Sequence, residues 1–327
     1  MTHTSMSNRN INISDTTTSD MSTDNTTTQS PLLIEIDDHK PKIIYYYQTF
    51  CGLKSILVKD TCVTHIHLAA THFGYNPGND GSPIPYIHLN NYPPDDPKFN
   101  SVWNDLVVAK NLGIKVILMV GGAGSAFQQL FSDFQNFYPL LKKTLIEFKS
   151  VIDGVDLDVE ETCRLSQIKM LINKLDSDFG KDFIIVMAPV QYALENTNQP
   201  GMSGFLYKYL NNSPEGKRIN YFNVQAYSSY SLNSLQNIVK NDYSVEKIVM
   251  GMLTGQNFEL IKTELGKMVS TYGNRFGGVF IWELYDAPPS GITNPSDWAT
   301  IMNTIIHPPS LFQKIKSILS YLTFFSR

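Results

Sequence analysis

Residues 153–160 read Asp-Gly-Val-Asp-Leu-Asp-Val-Glu, an alternation of acidic and apolar side chains that predicts a β-strand. Side chains along a strand alternate between its two faces, so Asp156, Asp158 and Glu160 share one face, and the apolar residues between them share the other. The apolar face suits packing against helices. Three carboxylates on the opposite face are costly to bury unless they are protonated, paired or used in a reaction.

On both sides of this strand, the chain alternates short apolar runs with helical patterns. Near-continuous apolar runs are typical of parallel strands covered on both faces. The predicted strands are residues 42–47, 64–70, 115–120, 154–159, 183–188, 221–226, 247–251 and 277–282. The predicted helices are residues 101–112, 126–149, 163–179, 232–239, 257–272 and 297–305. This rhythm predicts an α/β fold, a single (β/α)8 TIM barrel, with a doubly wound open sheet as the alternative.

The acidic strand also indicates a kind of chemistry. Barrel active sites lie at the carboxyl ends of the strands, where Asp158 and Glu160 stand. Like charges so close together cannot all ionise, which raises at least one pKa and yields a general acid near neutral pH. Two other interpretations stay open on spacing alone: a solvated strand end, and a site for Mg²⁺ or Ca²⁺.

The acidic strand resembles the Asp-Gly-x-Asp-x-Asp-x-Glu signature of glycoside hydrolase family 18, which includes chitinases and endo-β-N-acetylglucosaminidases. All five fixed positions match, from Asp153 to Glu160. Other strand ends are similar to the same family. They are Gly121-Gly122, Met187-Ala188-Pro189, Gln225-Ala226-Tyr227, Trp282 and a first-strand tyrosine, best represented by Tyr46 with Tyr45 and Tyr47 as alternatives.

The resemblance implies retaining, substrate-assisted hydrolysis. The catalytic residues would be Glu160 as the proton donor, Asp158 orienting the substrate acetamido group, Asp156 as its partner and Tyr227 as a hydroxyl donor. Substrate contacts are expected at Trp282, Gln225, Tyr46, Gly122 and Met187. No metal and no cofactor is expected. Each residue also has a structural reading: Trp282 and Tyr227 could be core residues, and Gln225 could be purely structural. Asp153 has the opposite parity to the acidic set, and we expect it to be structural.

Two positions depart from the family pattern. Where the family has serine in Ser-x-Gly-Gly, this chain has Met119. If that serine helps to hold the buried Asp156, one hydroxyl donor is missing here. The position after Tyr227, asparagine or aspartate in the family, is Ser228, which puts one sugar contact in doubt.

Three substrate relationships remain open. The chain could cut β-1,4-linked N-acetylglucosamine polymers in the manner of a chitinase, act as an endo-β-N-acetylglucosaminidase on N-linked glycans, or bind chitin as a lectin without cutting it. About 25 residues separate the seventh and eighth predicted strands, too few for the small α+β domain that many deep-cleft chitinases insert there. We therefore expect a shallow groove and endo-action. We also expect a long loop over residues 71–97, with aromatic side chains that could line a sugar groove.

The ends of the chain differ in composition from the barrel. Residues 1–37 are rich in Ser, Thr and Asn and are predicted to be disordered. Residues 38–307 would form the barrel domain. Residues 308–327 would form an amphipathic tail, either a short helix that docks on the barrel, an interfacial helix that contacts a membrane, or a disordered segment. No secretory signal is visible, so the compartment stays open. A net charge of −4 gives no reason to expect nucleic acid as a partner, and we expect a monomer.

Overall fold

The computed structural model describes residues 40–308, and these form a closed barrel of eight parallel strands surrounded by helices. The strands are β1 (Lys42–Tyr47), β2 (His65–Pro77), β3 (Pro83–Leu89), β4 (Lys115–Gly121), β5 (Gly154–Asp158), β6 (Ile184–Met187), β7 (Tyr221–Gln225), β8 (Ile248–Leu253) and β9 (Gly278–Trp282). All but β3 are barrel strands, and β1 closes the barrel by pairing in parallel with both β2 and β9. The predicted (β/α)8 fold is confirmed.

Ten α-helices lie within the described part of the chain, most of them between consecutive barrel strands. They are α1 (Asn100–Asn111), α2 (Ala126–Ser132), α3 (Phe134–Glu147), α4 (Leu165–Phe179), α5 (Gln191–Glu195), α6 (Tyr207–Asn211), α7 (Pro214–Lys217), α8 (Leu232–Lys240), α9 (Phe258–Tyr272) and α10 (Ser296–Ile306). In α4 the buried residues are Ile168, Leu171, Ile172 and Leu175. That spacing places them on one helical stripe facing the sheet. No helix of residues 40–308 is long and apolar enough to cross a membrane.

Two layers of side chains divide the core. Outward-facing strand residues pack with the helices in one large cluster, and inward-facing residues such as Ile44, Ile117 and Phe280 form a smaller cluster inside the barrel. The alternation of strand side chains produces both layers from the same strands. The barrel interior is therefore filled, and only the ends of the strands are open to a ligand.

The predicted loop over residues 71–97 is wrong in part, because β2 continues to Pro77 and pairs antiparallel with β3. The two strands are joined by a tight turn in which Gly78 N donates to Ser82 O at 2.7 Å and Gly81 has a φ of +80°. The prolines of this segment suggested a loop. Proline is nevertheless tolerated where a strand has a free edge, as β3 does.

The single helix predicted for residues 126–149 is two helices. Asp133, with φ −147° and ψ 63°, separates α2 from α3. Its carboxylate accepts hydrogen bonds from Tyr75 Oη at 3.1 Å and Asn136 Nδ2 at 2.8 Å. Aspartate competes with helical geometry through such local bonds, so an apolar periodicity that runs through it does not guarantee one helix.

The segment between β8 and β9 contains α9 and a short 3₁₀ turn, with no inserted domain. This agrees with the expectation from the sequence. The predicted N-terminal tail lies wholly outside the described residues, and so does the C-terminal tail apart from Pro308, together with the predicted membrane contact.

Candidate active site

The acidic residues of β5 point into the carboxyl-terminal mouth of the barrel. Asp156 is fully buried, Asp158 is 4% exposed, and Glu160, two residues beyond the strand, is partly exposed. The intervening Val155 and Leu157 belong to the outer core. The three acidic residues therefore lie one above another along the barrel axis, and each is more exposed to solvent than the one before it.

Gly121, the last residue of β4, and Gly122 after it allow the backbone to close over β5. Gly122 N donates to the Asp158 carbonyl oxygen at 2.8 Å. Gly121 has a φ of +99°, and a Cβ atom there would lie 2.3 Å from that same carbonyl oxygen. Only glycine combines this dihedral with so close an approach. The predicted Gly121-Gly122 turn therefore forms one wall of the mouth.

A cavity of about 230 Å³ lies above the acidic residues. Its lining residues are Met119, Gly122, Ala123, Asp158, Glu160, Gln225, Tyr227, Leu253 and Trp282. Carboxylate and amide groups thus share the cavity with apolar and aromatic side chains, which suits a ligand with both polar groups and an apolar face. A larger groove of about 760 Å³ lies elsewhere, between α3 and α4 on the outside of the barrel.

Gln225 connects the two carboxylates of the cavity. Its Nε2 atom lies 3.1 Å from Asp158 Oδ1 and 3.2 Å from Glu160 Oε1, and it donates to Ala188 O at 2.9 Å. Burial raises the pKa of Glu160, and the hydrogen bond from Gln225 partly offsets this rise. Burial also raises the pKa of Asp158 well above its ordinary value, with further rises from the charges of Glu160, Asp156 and Glu161. Both groups therefore favour the protonated state more than ordinary carboxyls do.

Tyr227 and Trp282 complete the walls of the cavity. Burial, followed by the nearby charges of Asp158 and Glu160, raises the pKa of Tyr227 well above its ordinary value, so its hydroxyl stays protonated and can donate. Trp282 ends β9 with its ring 5.2 Å from that of Tyr46. Ser228 is exposed and does not line the cavity.

Among the three candidate tyrosines of β1, Tyr46 faces the barrel interior. Its hydroxyl donates to Asp156 Oδ2 at 2.5 Å, and its side chain is 2% exposed. Tyr45 and Tyr47 face outward, where their hydroxyls contact Pro295 O and Gly52 N respectively. Tyr46 lies below the cavity, so its contact is with Asp156; the substrate contact expected of Tyr46 does not fit this position.

Met187 is likewise misplaced by the sequence prediction. It is fully buried in the outer core with Ile185, whereas Val186 faces the interior. The Met-Ala-Pro similarity is real in sequence, but the parity of β6 turns the methionine away from the cavity. Its neighbour Ala188 contributes instead, through the carbonyl oxygen that accepts from Gln225.

Three residues of the site were not predicted. His67 and Asn223 face inward and contact Asp156, with His67 Nδ1 2.8 Å from Asp156 Oδ2. Glu161 turns the other way and accepts from the backbone N–H groups of Phe127 and Gln128 at the start of α2. Strand parity could have drawn attention to Asn223, two residues before Gln225. His67 and His65 share one face of β2, but a pair of histidines on a strand is also typical of an ordinary hydrogen-bonded core, and Glu161 has no comparable pattern.

A second, more polar pocket of about 500 Å³ adjoins the cavity, and Ala123 lines both. Its other lining residues are Gln48, His72, Phe73, His88, Asn90, Asn91 and Gly124. His72 and His88 stack with ring centroids 5.6 Å apart. Part of the segment predicted to lie along a sugar groove therefore forms this pocket. Within residues 40–308, no group of three or more His, Cys, Asp and Glu side chains is placed to hold a metal ion.

Comparisons with known proteins agree with this geometry. No protein-family model and no curated protein matches the chain. Among solved structures, a fungal endo-β-N-acetylglucosaminidase from glycosyl hydrolase family 18 is 32% identical, with a TM-score of 0.72; the match covers 83% of this chain and 99% of that one.

The chitinase ChiC from Aspergillus fumigatus is also 32% identical, with a TM-score of 0.68, over 82% of this chain and all of that one. A family 18 chitinase from Pseudoalteromonas aurantia, 21% identical with a TM-score of 0.60 over 81% of this chain and 99% of that one, shares the fold. With two relatives above 30% identity matched over nearly their whole length, this chain belongs to glycoside hydrolase family 18 and is a chitinase-type glycosidase.

Proposed function

We propose that this enzyme hydrolyses β-1,4 bonds of N-acetylglucosamine polymers, as an endo-acting, retaining chitinase that uses substrate assistance. One observation carries the proposal: the two carboxylates of the cavity, Asp158 at the end of β5 and Glu160 two residues beyond it, contact the same nitrogen of Gln225. Of the residues that line the cavity, no other bears a carboxylate. A retaining enzyme with its own nucleophile needs a second carboxylate placed across the scissile bond from the acid.

In the absence of an enzyme nucleophile, the acetamido carbonyl of the substrate attacks the anomeric carbon. Glu160 protonates the leaving oxygen, since its raised pKa keeps a proton available. Asp158 accepts a hydrogen bond from the acetamido N–H group and stabilises the positive oxazolinium. Such an intramolecular attack gains a large effective molarity when its geometry is held.

Other groups hold the sugar during these steps. Tyr227 donates its hydroxyl to the acetamido oxygen and holds that oxygen in line with the anomeric carbon, a preorganised contact that needs no rearrangement during the attack. Trp282 forms the floor under the sugar, with Gln225 and Gly122 at its sides. Asp156 lies below Asp158 on the same face of β5, where its charge contributes to the raised pKa of Asp158. The absence of a domain between β8 and β9 supports a shallow groove and endo-action.

A turnover assay tests the proposal. Wild type, Glu160→Gln and the control Glu259→Gln, which alters an exposed carboxylate on α9, are assayed on chitin oligomers. We expect Glu160→Gln to bind oligomers but not cut them, and the control to match wild type. Products of retained configuration and inhibition by a thiazoline analogue of the oxazolinium are expected. An inverted product contradicts substrate assistance, and binding without turnover by wild type indicates a lectin.

Endo-β-N-acetylglucosaminidase activity on N-linked glycans is the second candidate. The polar pocket beside the cavity favours it, because amide and imidazole groups there suit the hydroxyls of a neutral sugar next to the reacting N-acetylglucosamine. The 32% identity to a fungal enzyme of that name also supports it. Wild type is therefore assayed on a high-mannose glycoprotein in parallel, and cleavage of that substrate alone selects this function over the chitinase.

A further inference from the structure

Asp156 is held by donors on only one of its two carboxylate oxygens. Oδ2 lies 2.5 Å from Tyr46 Oη, 2.8 Å from His67 Nδ1 and 3.5 Å from Asn223 Nδ2. Oδ1 is buried without a hydrogen-bond partner in the described residues. A buried carboxylate of this kind depends on the few donors that reach it, because no water replaces them.

The strand next to Asp156 supplies none of these donors. In the register of β4 and β5, Met119 is the direct neighbour of Asp156. A thioether has no proton to donate, so this position, where a serine was expected from the family pattern, gives the carboxylate no hydroxyl donor from β4. The donors come instead from β1, β2 and β7 across the barrel.

His67 is fixed from both sides of its ring. It is fully buried, with Nδ1 against Asp156 and Nε2 3.1 Å from Tyr221 Oη. The ring also packs 4.9 Å from that of Tyr46. Because the Asp156 carboxylate is the acceptor in its hydrogen bond with His67 Nδ1, that nitrogen carries a proton. Asn223 Nδ2, 3.3 Å from the same nitrogen, then directs its hydrogen to Tyr46 Oη at 2.8 Å.

We propose that His67 is a positioning residue for hydrolysis, which orients Asp156 in place of the hydroxyl that Met119 cannot supply. It acts through Asp156, and thereby on Asp158, two residues along the same face of β5; it does not touch the sugar cavity. Tyr221 holds the histidine ring in the required orientation. This inference rests on the proposed function, since its effect is on the same reaction.

The test compares His67→Phe, Met119→Ser and the double variant on whichever substrate wild type cuts. We expect His67→Phe to lower kcat about 10- to 100-fold with little change in KM, the size expected for losing a hydrogen bond to a charged group. Adding Met119→Ser to the His67→Phe variant is expected to raise its kcat at least about threefold, because the serine lies beside Asp156. His65→Phe, an inward histidine of the same strand without a bond to Asp156, is the control and should retain wild-type kcat.

Two further measurements keep the proposal falsifiable if His67→Phe fails to fold. His67→Gln retains a donor and should keep most of the turnover. In ¹⁵N-labelled wild type, NMR should show a slowly exchanging proton on His67 Nδ1 that shifts in Asp156→Asn, a result independent of substrate. Three results would each overturn the inference. They are a wild-type kcat in folded His67→Phe, no rise in kcat when Met119→Ser is added to it, and a His67 ring that carries its proton on Nε2 alone. Lack of turnover by wild type would contradict the proposed function instead, with the NMR result still deciding whether His67 donates to Asp156.

Discussion

Gln225 Nε2 lies 3.2 Å from Glu160 Oε1, so the group that we assign as the acid receives a hydrogen bond that favours its charged form. Burial acts in the opposite direction and is the larger effect, which leaves the pKa of Glu160 raised. The reactivity of this carboxyl is therefore a balance between exclusion of water and one amide hydrogen bond.

Removal of that amide should raise the pKa of Glu160 further. We expect Gln225→Ala to move the alkaline limb of kcat/KM to higher pH, since a general acid stays protonated up to its own pKa. Gln225→Glu should move it further by adding a like charge. Both variants should lose about tenfold or more in kcat, because Asp158 also loses its donor. The pH dependence of kcat/KM checks this, and an alkaline limb that stays in place or moves to lower pH would contradict it.

Replacement by alanine should destabilise the protein more at Gly121 than at Gly113, although both glycines have a left-handed dihedral. Gly121→Ala combines that strain with a Cβ atom 2.3 Å from Asp158 O, whereas Gly113→Ala, at φ +82°, meets no atom within 4 Å. Left-handed geometry alone costs about 1–2 kcal/mol. We therefore expect about 1 kcal/mol for Gly113→Ala and about 3 kcal/mol or more for Gly121→Ala, measured as the free energy of unfolding in denaturant. Equal losses would show that the backbone of the turn can move away from β5.

Strand parity explains how much of this site could be predicted from the sequence. The alternation in β5 places Asp156, Asp158 and Glu160 correctly, because one face of a strand is set by spacing alone. The prediction for Met187 was wrong because β6 is a short apolar run without alternation, so its sequence does not show which residues face inward. The pairing of β6 with β7, in which Val186 lies opposite Tyr221, settles which side chains face inward.

Contacts between distant elements limit what the sequence alone can show. His67 acquires a role only because β2, β5 and β7 bring Asp156 and Tyr221 to its two nitrogens, across separations of 89 and 154 residues. The hairpin of β2 and β3 was missed because local turn residues dominate the composition of the segment, while its strand pairing depends on β2 continuing past the barrel. Neither feature has a local sequence signal of sufficient strength.

Glu161 should contribute to stability through its acceptor oxygen more than through its charge. Glu161→Gln keeps an acceptor for the N–H groups of Phe127 and Gln128, whereas Glu161→Ala leaves them without one. We expect the alanine variant to lose about 1 kcal/mol of unfolding free energy, the usual cost of losing a helix cap. Similar stabilities of the two variants would contradict this role.

The pH dependence of Glu161→Gln gives a second measurement. Burial raises the pKa of Glu161 above its ordinary value, with the backbone hydrogen bonds opposing that rise. The folded protein therefore binds this proton more tightly than the unfolded chain, and this carboxyl lowers stability as pH rises through that interval. We expect Glu161→Gln to gain stability relative to wild type as pH rises from acid to neutral, with the difference vanishing at acidic pH. A gain that grows toward low pH would have the wrong sign.

Trp282 should contribute mainly to binding. Its ring lines the cavity and lies 5.2 Å from the ring of Tyr46. An aromatic side chain can bury about 150–250 Å² against a partner, and a sugar would cover only one face of it. At about 25 cal/mol per Å², half of that area corresponds to about 2–3 kcal/mol. We therefore expect Trp282→Ala to lower kcat/KM about 30- to 150-fold and Trp282→Phe to lower it much less. Unfolding of both variants should be measured alongside, since a purely structural tryptophan would lower stability without changing KM in the folded enzyme.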